Sequence, residues 1–311
     1  MLALNYPHNK NGAWLEFGFE DEKEIEKIAK NIPEGEDWLK EINESNENNL
    51  KIAITPDYLH VRGSLIYHQN SQKEDEYKVF HFYTCKDFFI TVGLKVGELK
   101  QKNQMLHRMQ LSRNGVENFC ILLSEITNRF LIRIDDFEVK LKNIVGKLQK
   151  NNNKNKLNQI FRYRQELITS KSLLIPMEEL INAIEETFLN QVTKTSEFNR
   201  ARLRIKRAMT LVKHYQEEME TLLHLEEAIF SYRGNEIMKA LTVITTIFTP
   251  VMALGALWGM NFKHMPELEW KFGYLGSLIL IFVSTIAIYF YLRFRGWTGG
   301  ILKGRKKKSL F

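Results

Sequence analysis

The chain has 311 residues, a formal net charge of +7, a mean hydropathy of −0.30 and two cysteines. That length accommodates one or two domains, and the negative hydropathy makes most of the chain soluble. Cys85 and Cys120 form no CxxC pair, which argues against a disulfide frame or a zinc knuckle and for reduced thiols.

Met1 to Lys10 holds no apolar run, being interrupted by Asn5, His8, Asn9 and Lys10, so no secretory signal is expected and the long N-terminal part is placed in the cytosol. Residues 1–98 read as an α/β domain. Strands are expected at Ala13–Phe19, Lys51–Ile54, Tyr58–Gln69, Tyr77–Tyr83 and Phe88–Leu94, which are rich in Val, Ile, Tyr and Phe and in several cases alternate. Short helices are expected at Glu20–Asn31 and Glu36–Asn43, the first favoured by Asp21 and Glu22 at its start.

Residues 99–234 read as a helical hairpin and a long stalk. Phe119, Leu122, Leu123, Ile126, Phe130, Ile134, Phe137 and Leu141 recur at helical spacing, and the polar run Asn151 to Asn155 marks a turn between antiparallel helices. Pro176, followed by Met177-Glu178-Glu179, is expected to open a fresh helix that runs without interruption toward Trp258. The basic group Arg200, Arg202, Arg204, Lys206 and Arg207 reads first as a solvated helix face with i,i+4 pairing, and alternatively as an intersubunit contact.

Two segments then carry no Asp, Glu, Lys or Arg: Ala240–Asn261 and Gly273–Leu292. Each is about the 20 residues a helix needs to span a bilayer. Membrane helices are therefore expected at 235–258 and 273–292, with a loop at 259–272 and a basic tail at 293–311. Arg293, Arg295, Lys303, Arg305, Lys306, Lys307 and Lys308 follow the second segment, whereas Lys263 and Lys271 in the loop are offset by Glu267 and Glu269. The positive-inside rule puts the tail and the N-terminal domain in the cytosol and the loop outside. The tail lysines either anchor to lipid head groups or ring an exit.

On the first span, Asn235, Met238, Leu241, Thr242, Thr245, Thr249, Met252, Ala256 and Gly259 fall at steps of three or four and form one stripe. Its threonine hydroxyls either bond back to the helix backbone or line a wet surface. Gly255 and Gly259 form a GxxxG pair, whose ordinary meaning is close helix contact. Pro250 should bend the helix or free the Thr246 carbonyl, and Gly234 is a candidate hinge. Gly259-Met260-Asn261, a tripeptide between two spanning helices, suits a pore mouth better than a buried core. No Walker A, GxGxxG, HExxH or GxSxG motif occurs, so no enzyme is expected. His60, His68 and His81 read as ordinary core or surface histidines, and His264, in the loop, is not expected to hold a cation.

The string from Asn235 to Tyr274, NEIMKALTVITTIFTPVMALGALWGMNFKHMPELEWKFGY, closely resembles the membrane segment of the CorA magnesium transporter family. The resemblance rests on the Met-Lys-x-Leu-Thr start, the Ile-Phe-x-Pro turn, Gly-Met-Asn, and Phe262 followed by Met265-Pro266-Glu267-Leu268. It implies a fold with an α/β cytosolic domain, a long helical stalk and two C-terminal transmembrane helices, assembled as a funnel-shaped homopentamer in the cell membrane, with lipid as its other partner. It implies passive Mg2+ influx, with the first span lining a pore at Asn235, Met238, Leu241, Thr249, Met252 and Asn261. Asn261 would hold the hydrated ion, Gly259 and Met260 would shape the turn that presents it, Met238 and Leu241 would gate, and Glu267 would concentrate cations outside. A Zn2+, Co2+ or Ni2+ carrier of the same fold and a membrane-anchored sensor without a pore are the alternatives. Trp258 stands where the family usually has Tyr, and Thr249 and Met252 invert the usual order. The family's regulatory acids have no counterpart in the basic Arg200 region.

Overall fold

A computed structural model describes residues 12–70, 73–99, 101–148, 154–261, 263, 265–266 and 269–298. Its contacts divide the chain into two compact units, residues 1–221 and 222–311.

The first unit contains a five-stranded sheet of order β1-β5-β4-β3-β2. The strands are β1 (Ala13–Phe17), β2 (Asn49–Ile54), β3 (Leu59–Asn70), β4 (Lys73–Cys85) and β5 (Phe88–Val92). β1 pairs with β5 in parallel and all other pairs are antiparallel. Two short helices, α1 (Glu22–Ala29) and α2 (Gly35–Glu44), connect β1 to β2. The expected strands and helices are all present, with edges moved by a few residues. β4 gains the most, because it resumes pairing with β3 at Lys73 beyond a register shift, through polar residues that carry no apolar alternation.

Strand alternation sends side chains to two different layers. Tyr83, Ile90, Val92 and Phe17 pack with Ile25, Trp38 and Ile42 of α1 and α2. The opposite face packs on α4 (Gly115–Leu148): Phe119 lies 5.1 Å from Phe82 and 5.6 Å from Phe89 between ring centroids. The approach is close at Gly115, where an added Cβ would stand 2.6 Å from the Phe88 backbone. Asn114 Oδ1 caps α4 by accepting the Glu117 N–H at 2.8 Å, and Glu117 Oε2 accepts the Arg113 N–H at 2.9 Å. The eight apolar positions from Phe119 to Leu141 that define the α4 periodicity are all 3% exposed or less.

The expected turn at 151–155 falls largely on 149–153, outside the described residues. The expected fresh start at Pro176 is corrected: Pro176 lies inside α5 (Lys154–Phe188). Proline there removes one N–H donor to the preceding turn. The neighbours Leu173, Leu174, Met177, Leu180 and Ile181 are all buried, and their packing carries the helix through. The uninterrupted run to Trp258 is corrected as well. A 3-10 turn at Leu189–Gln191, with Leu189 at φ 39°, ends α5, and α6 (Ser196–Trp258) starts afresh after Thr195.

The basic group on α6 is tied down mostly across elements and not by i,i+4 pairing. Arg202 pairs with Glu185 of α5 at 3.3 Å, and Arg204 donates to the Ser124 carbonyl of α4 at 3.3 Å. Arg200 pairs with Glu197 at i,i+3.

His60 and His81 are core residues, each 1% exposed. Burial pushes the His81 imidazole down to about 4, opposed in part by the Glu41 carboxylate. Burial also lowers His60, opposed by Glu34, whose Oε2 lies 3.5 Å from His60 Nε2. An unfolded histidine titrates near 6.5, so between that pH and about 4 the unfolded chain binds more protons than the folded one. The stability contributed by neutral His81 is thus whole above about 6.5 and is lost as pH falls through this window, by up to about 3 kcal/mol. Denaturant midpoints measured from pH 7 to 4.5 should fall, and His81→Leu should flatten that slope; equal slopes in the two proteins would refute the assignment.

Candidate functional site

The described site residues lie in the second unit, on the last part of α6, on α7 (Gly273–Phe294) and between them. Both helices are long and apolar enough to cross a membrane, and only 6% of each apolar window is buried within the chain. A core helix would hide that surface, and these two do not.

Asn235, Met238, Leu241, Thr242, Thr245, Thr249 and Met252 are all helical in α6, and none is buried. Met238 and Met252 are each 60% exposed and Leu241 is 54% exposed. Exposure in one chain does not set this stripe apart, since Ile237, Ile244 and Phe248 on other faces are exposed as well. The stripe's distinction is chemical: it carries three of the span's four threonine hydroxyls.

Those hydroxyls take the first of the two courses open to them. Thr242 donates to the Met238 carbonyl at 2.8 Å, Thr245 to Leu241 at 3.0 Å and Thr249 to Thr245 at 2.8 Å. Ser284 and Thr285 of α7 do the same to Leu280 and Ile281. A hydroxyl that donates its one proton keeps its oxygen lone pairs as acceptors. The threonine row therefore presents acceptors and no free donors.

α6 passes through Gly234 and through Pro250 and ends at Trp258. Gly259 N–H still bonds to the Gly255 carbonyl at 3.0 Å, and Met260 N–H reaches back only to Leu257 at 3.4 Å, so the last turn tightens. Asn261 follows, exposed and outside regular structure. No basic side chain occupies the last turn. The terminal carbonyls of a helix carry partial negative charge, which favours a cation by about 0.3–1 kcal/mol in exposed settings. The exit of α6 is thus an end that offers oxygen and no formal charge.

The GxxxG pair divides. A Cβ at Gly255 would meet nothing within 4 Å in the single chain, whereas one at Gly259 would stand 3.0 Å from the Gly255 carbonyl. Gly255, Trp258 and Gly259 also line a cavity of about 770 Å3 with Trp270, Lys271 and Tyr274. Sequence reasoning missed Trp270 and Tyr274; the aromatic pairs that gather at membrane interfaces were the available signal. Glu267 and His264 lie outside the described residues. Among the described residues, no group of three or more His, Cys, Asp or Glu side chains is arranged to hold a metal.

The chain matches the family model described as CorA-like Mg2+ transporter protein over residues 9–295. It is 40% identical over 305 residues, 96% of either chain, to the magnesium transport protein CorA of Bacillus subtilis (strain 168). It is 36% identical over 86 residues, 28% of this chain and 24% of the relative, to the cobalt/magnesium transport protein CorA of Thermotoga maritima. Among solved structures, the complete CorA magnesium transporter from Methanocaldococcus jannaschii superposes with a TM-score of 0.67 over 96% of this chain and 94% of that one. At 17% identity that likeness speaks for the fold: a sheet-bearing N-terminal domain, long helices and two C-terminal candidate membrane helices. The match along nearly the whole chain, with the Gly-Met-Asn signature at the exit of the first apolar helix, makes this chain a member of the CorA-like Mg2+ transporter family.

Proposed function

We propose that the chain mediates passive Mg2+ influx as a homopentamer in the cell membrane, with both termini cytosolic and the 235–258 segment of each subunit lining the pore. The observation that carries this reading is Asn261, exposed just beyond the uncharged last stretch of α6 in a member of this family. Mg2+ gives up its water shell reluctantly. Five neutral amide oxygens, contributed once per subunit, accept hydrogen bonds from the bound water and need not strip it. Neutrality also matters for release, since a ring of carboxylates would hold a divalent ion too tightly to conduct. Behind the ring, Thr249, Thr245 and Thr242 offer acceptor oxygens to the same hydrated ion. Glu267 raises the local cation concentration outside. The membrane potential supplies about 2.3 kcal/mol per charge per 100 mV, and about twice that for a divalent ion.

Met238 and Leu241 close the cytosolic end as an apolar constriction that gates by excluding water. Met238→Ser or Leu241→Ser is expected to raise flux several-fold at high cytosolic Mg2+, measured as uptake into proteoliposomes loaded with Mg2+. An unchanged flux in both variants would remove the apolar gate.

The decisive test is ion uptake by the purified, reconstituted chain with Mg2+, Co2+ and Zn2+ in competition. Saturable Mg2+ uptake is expected, and an absence of any flux would leave a membrane-anchored sensor as the better reading. Co2+ is the second cargo to examine, because the Thermotoga maritima relative is named for cobalt as well as magnesium.

A further inference from the structure

The unit of residues 1–221 holds a second polar site, remote in chemistry from the neutral exit of α6. A cavity of about 650 Å3 opens between the start of α4, the start of α6 and α3 (Lys102–Gln110). Arg108, Arg113, Lys194 and Arg200 line it, together with Glu117 and Glu197. Four cations against two carboxylates leave a net charge of two, positive.

The two carboxylates are already engaged. Glu197 pairs with Arg108 through one oxygen and with Arg200 through the other at 3.2 Å. Glu117 accepts the Arg113 backbone N–H at 2.9 Å. The Arg113 guanidinium and the Lys194 ammonium are exposed and have no side-chain partner among the described residues. Arg108, already paired with Glu197 through Nη2, also has a buried Nε–H without an acceptor among the described residues.

We propose that this cavity binds a small, multiply charged phosphate anion of the pyrophosphate class, held by Arg113 and Lys194 and supported by Arg108 and Arg200. Three lines favour that class. The cations converge from two helices and two loops, which a single carboxylate cannot engage together. Arginine forks match phosphate oxygens two at a time. No aromatic ring among the described residues lines the cavity, so a nucleotide base would find no stacking surface and only its phosphates would be read. The volume lies within the range of small-molecule sites.

The test is calorimetric titration of the full-length, detergent-purified chain in Mg2+-free buffer, using inorganic pyrophosphate, orthophosphate and ATP as probes. Because it reads binding and not flux, its outcome is separate from the transport reading. Pyrophosphate should bind saturably at one site per chain, orthophosphate at least tenfold more weakly, and ATP within tenfold of pyrophosphate. The double variant Arg113→Ala, Lys194→Ala should raise the pyrophosphate Kd at least tenfold and leave the anion-free Tm unchanged, since both side chains are exposed. No saturable heat at millimolar pyrophosphate, or equal binding in the double variant, would overturn the site. ATP binding more than tenfold tighter than pyrophosphate, or orthophosphate binding as tightly, would overturn the assigned ligand class.

Discussion

Asn261→Ala is expected to abolish Mg2+-dependent growth rescue in a strain lacking its own Mg2+ uptake, while leaving expression and oligomer mass unchanged. Asn261 stands beyond the last tightened turn of α6, where Met260 still bonds to Leu257 and Asn261 itself is exposed. Its removal leaves no side chain to be repacked and no buried partner to be orphaned, so the fold is not at stake. In the proposed homopentamer the loss falls on the ion. Each amide that accepts from a water bound to Mg2+ contributes about 1.5–3 kcal/mol, as hydrogen bonds to charged groups do. A ring loses every such bond at once, which amounts to more than a hundredfold in capture. Asn261→Asp sharpens the test, because it keeps the acceptors and adds one negative charge per subunit. Stronger binding with slower release is expected there, read as inhibition of uptake by submillimolar Mg2+. Normal rescue by Asn261→Ala would show that the mouth is built from something else.

Trp38→Ala should destabilise the N-terminal unit by about 3–5 kcal/mol, the range for deleting a large buried aromatic. For a unit of this size that corresponds to a Tm lower by on the order of 10 °C. Trp38 is fully buried and lies 5.7 Å from the Tyr83 ring, in the layer where α1 and α2 cover the sheet. Its indole Nε1–H has no acceptor among the described residues. Trp38→Phe therefore removes an unsatisfied donor along with some apolar area, two effects of opposite sign, and should cost far less than Trp38→Ala. Thermal unfolding of the full chain followed by far-UV circular dichroism separates the cases. Equal losses for Phe and Ala would mean that the indole N–H is satisfied in solution.

The membrane helices were the most legible part of the chain. A long run without charge has one physical solution in water and another in lipid, and the length of each run selected lipid. The α4 periodicity was legible for the same reason, since one apolar stripe must meet one packed layer, and its eight positions are buried. Pro176 misled because a local rule about proline concerns one lost hydrogen bond, whereas burial of five neighbouring apolar side chains is worth more. The real interruption at Leu189 carries no proline or glycine, only a backbone at positive φ in a 3-10 turn.

By itself, the amino-acid sequence determined which residues could be placed in lipid, the Gly-Met-Asn exit between the two spans and the family, because these depend on local composition and order. Tertiary structure alone decided that β1 joins β5 in parallel and that His60 and His81 are buried. It alone brought Arg108, Arg113, Lys194 and Arg200 to one cavity. These outcomes depend on contacts between residues far apart in the chain, and on which of several hydrogen-bond partners comes within reach, neither of which is written in any single stretch of sequence.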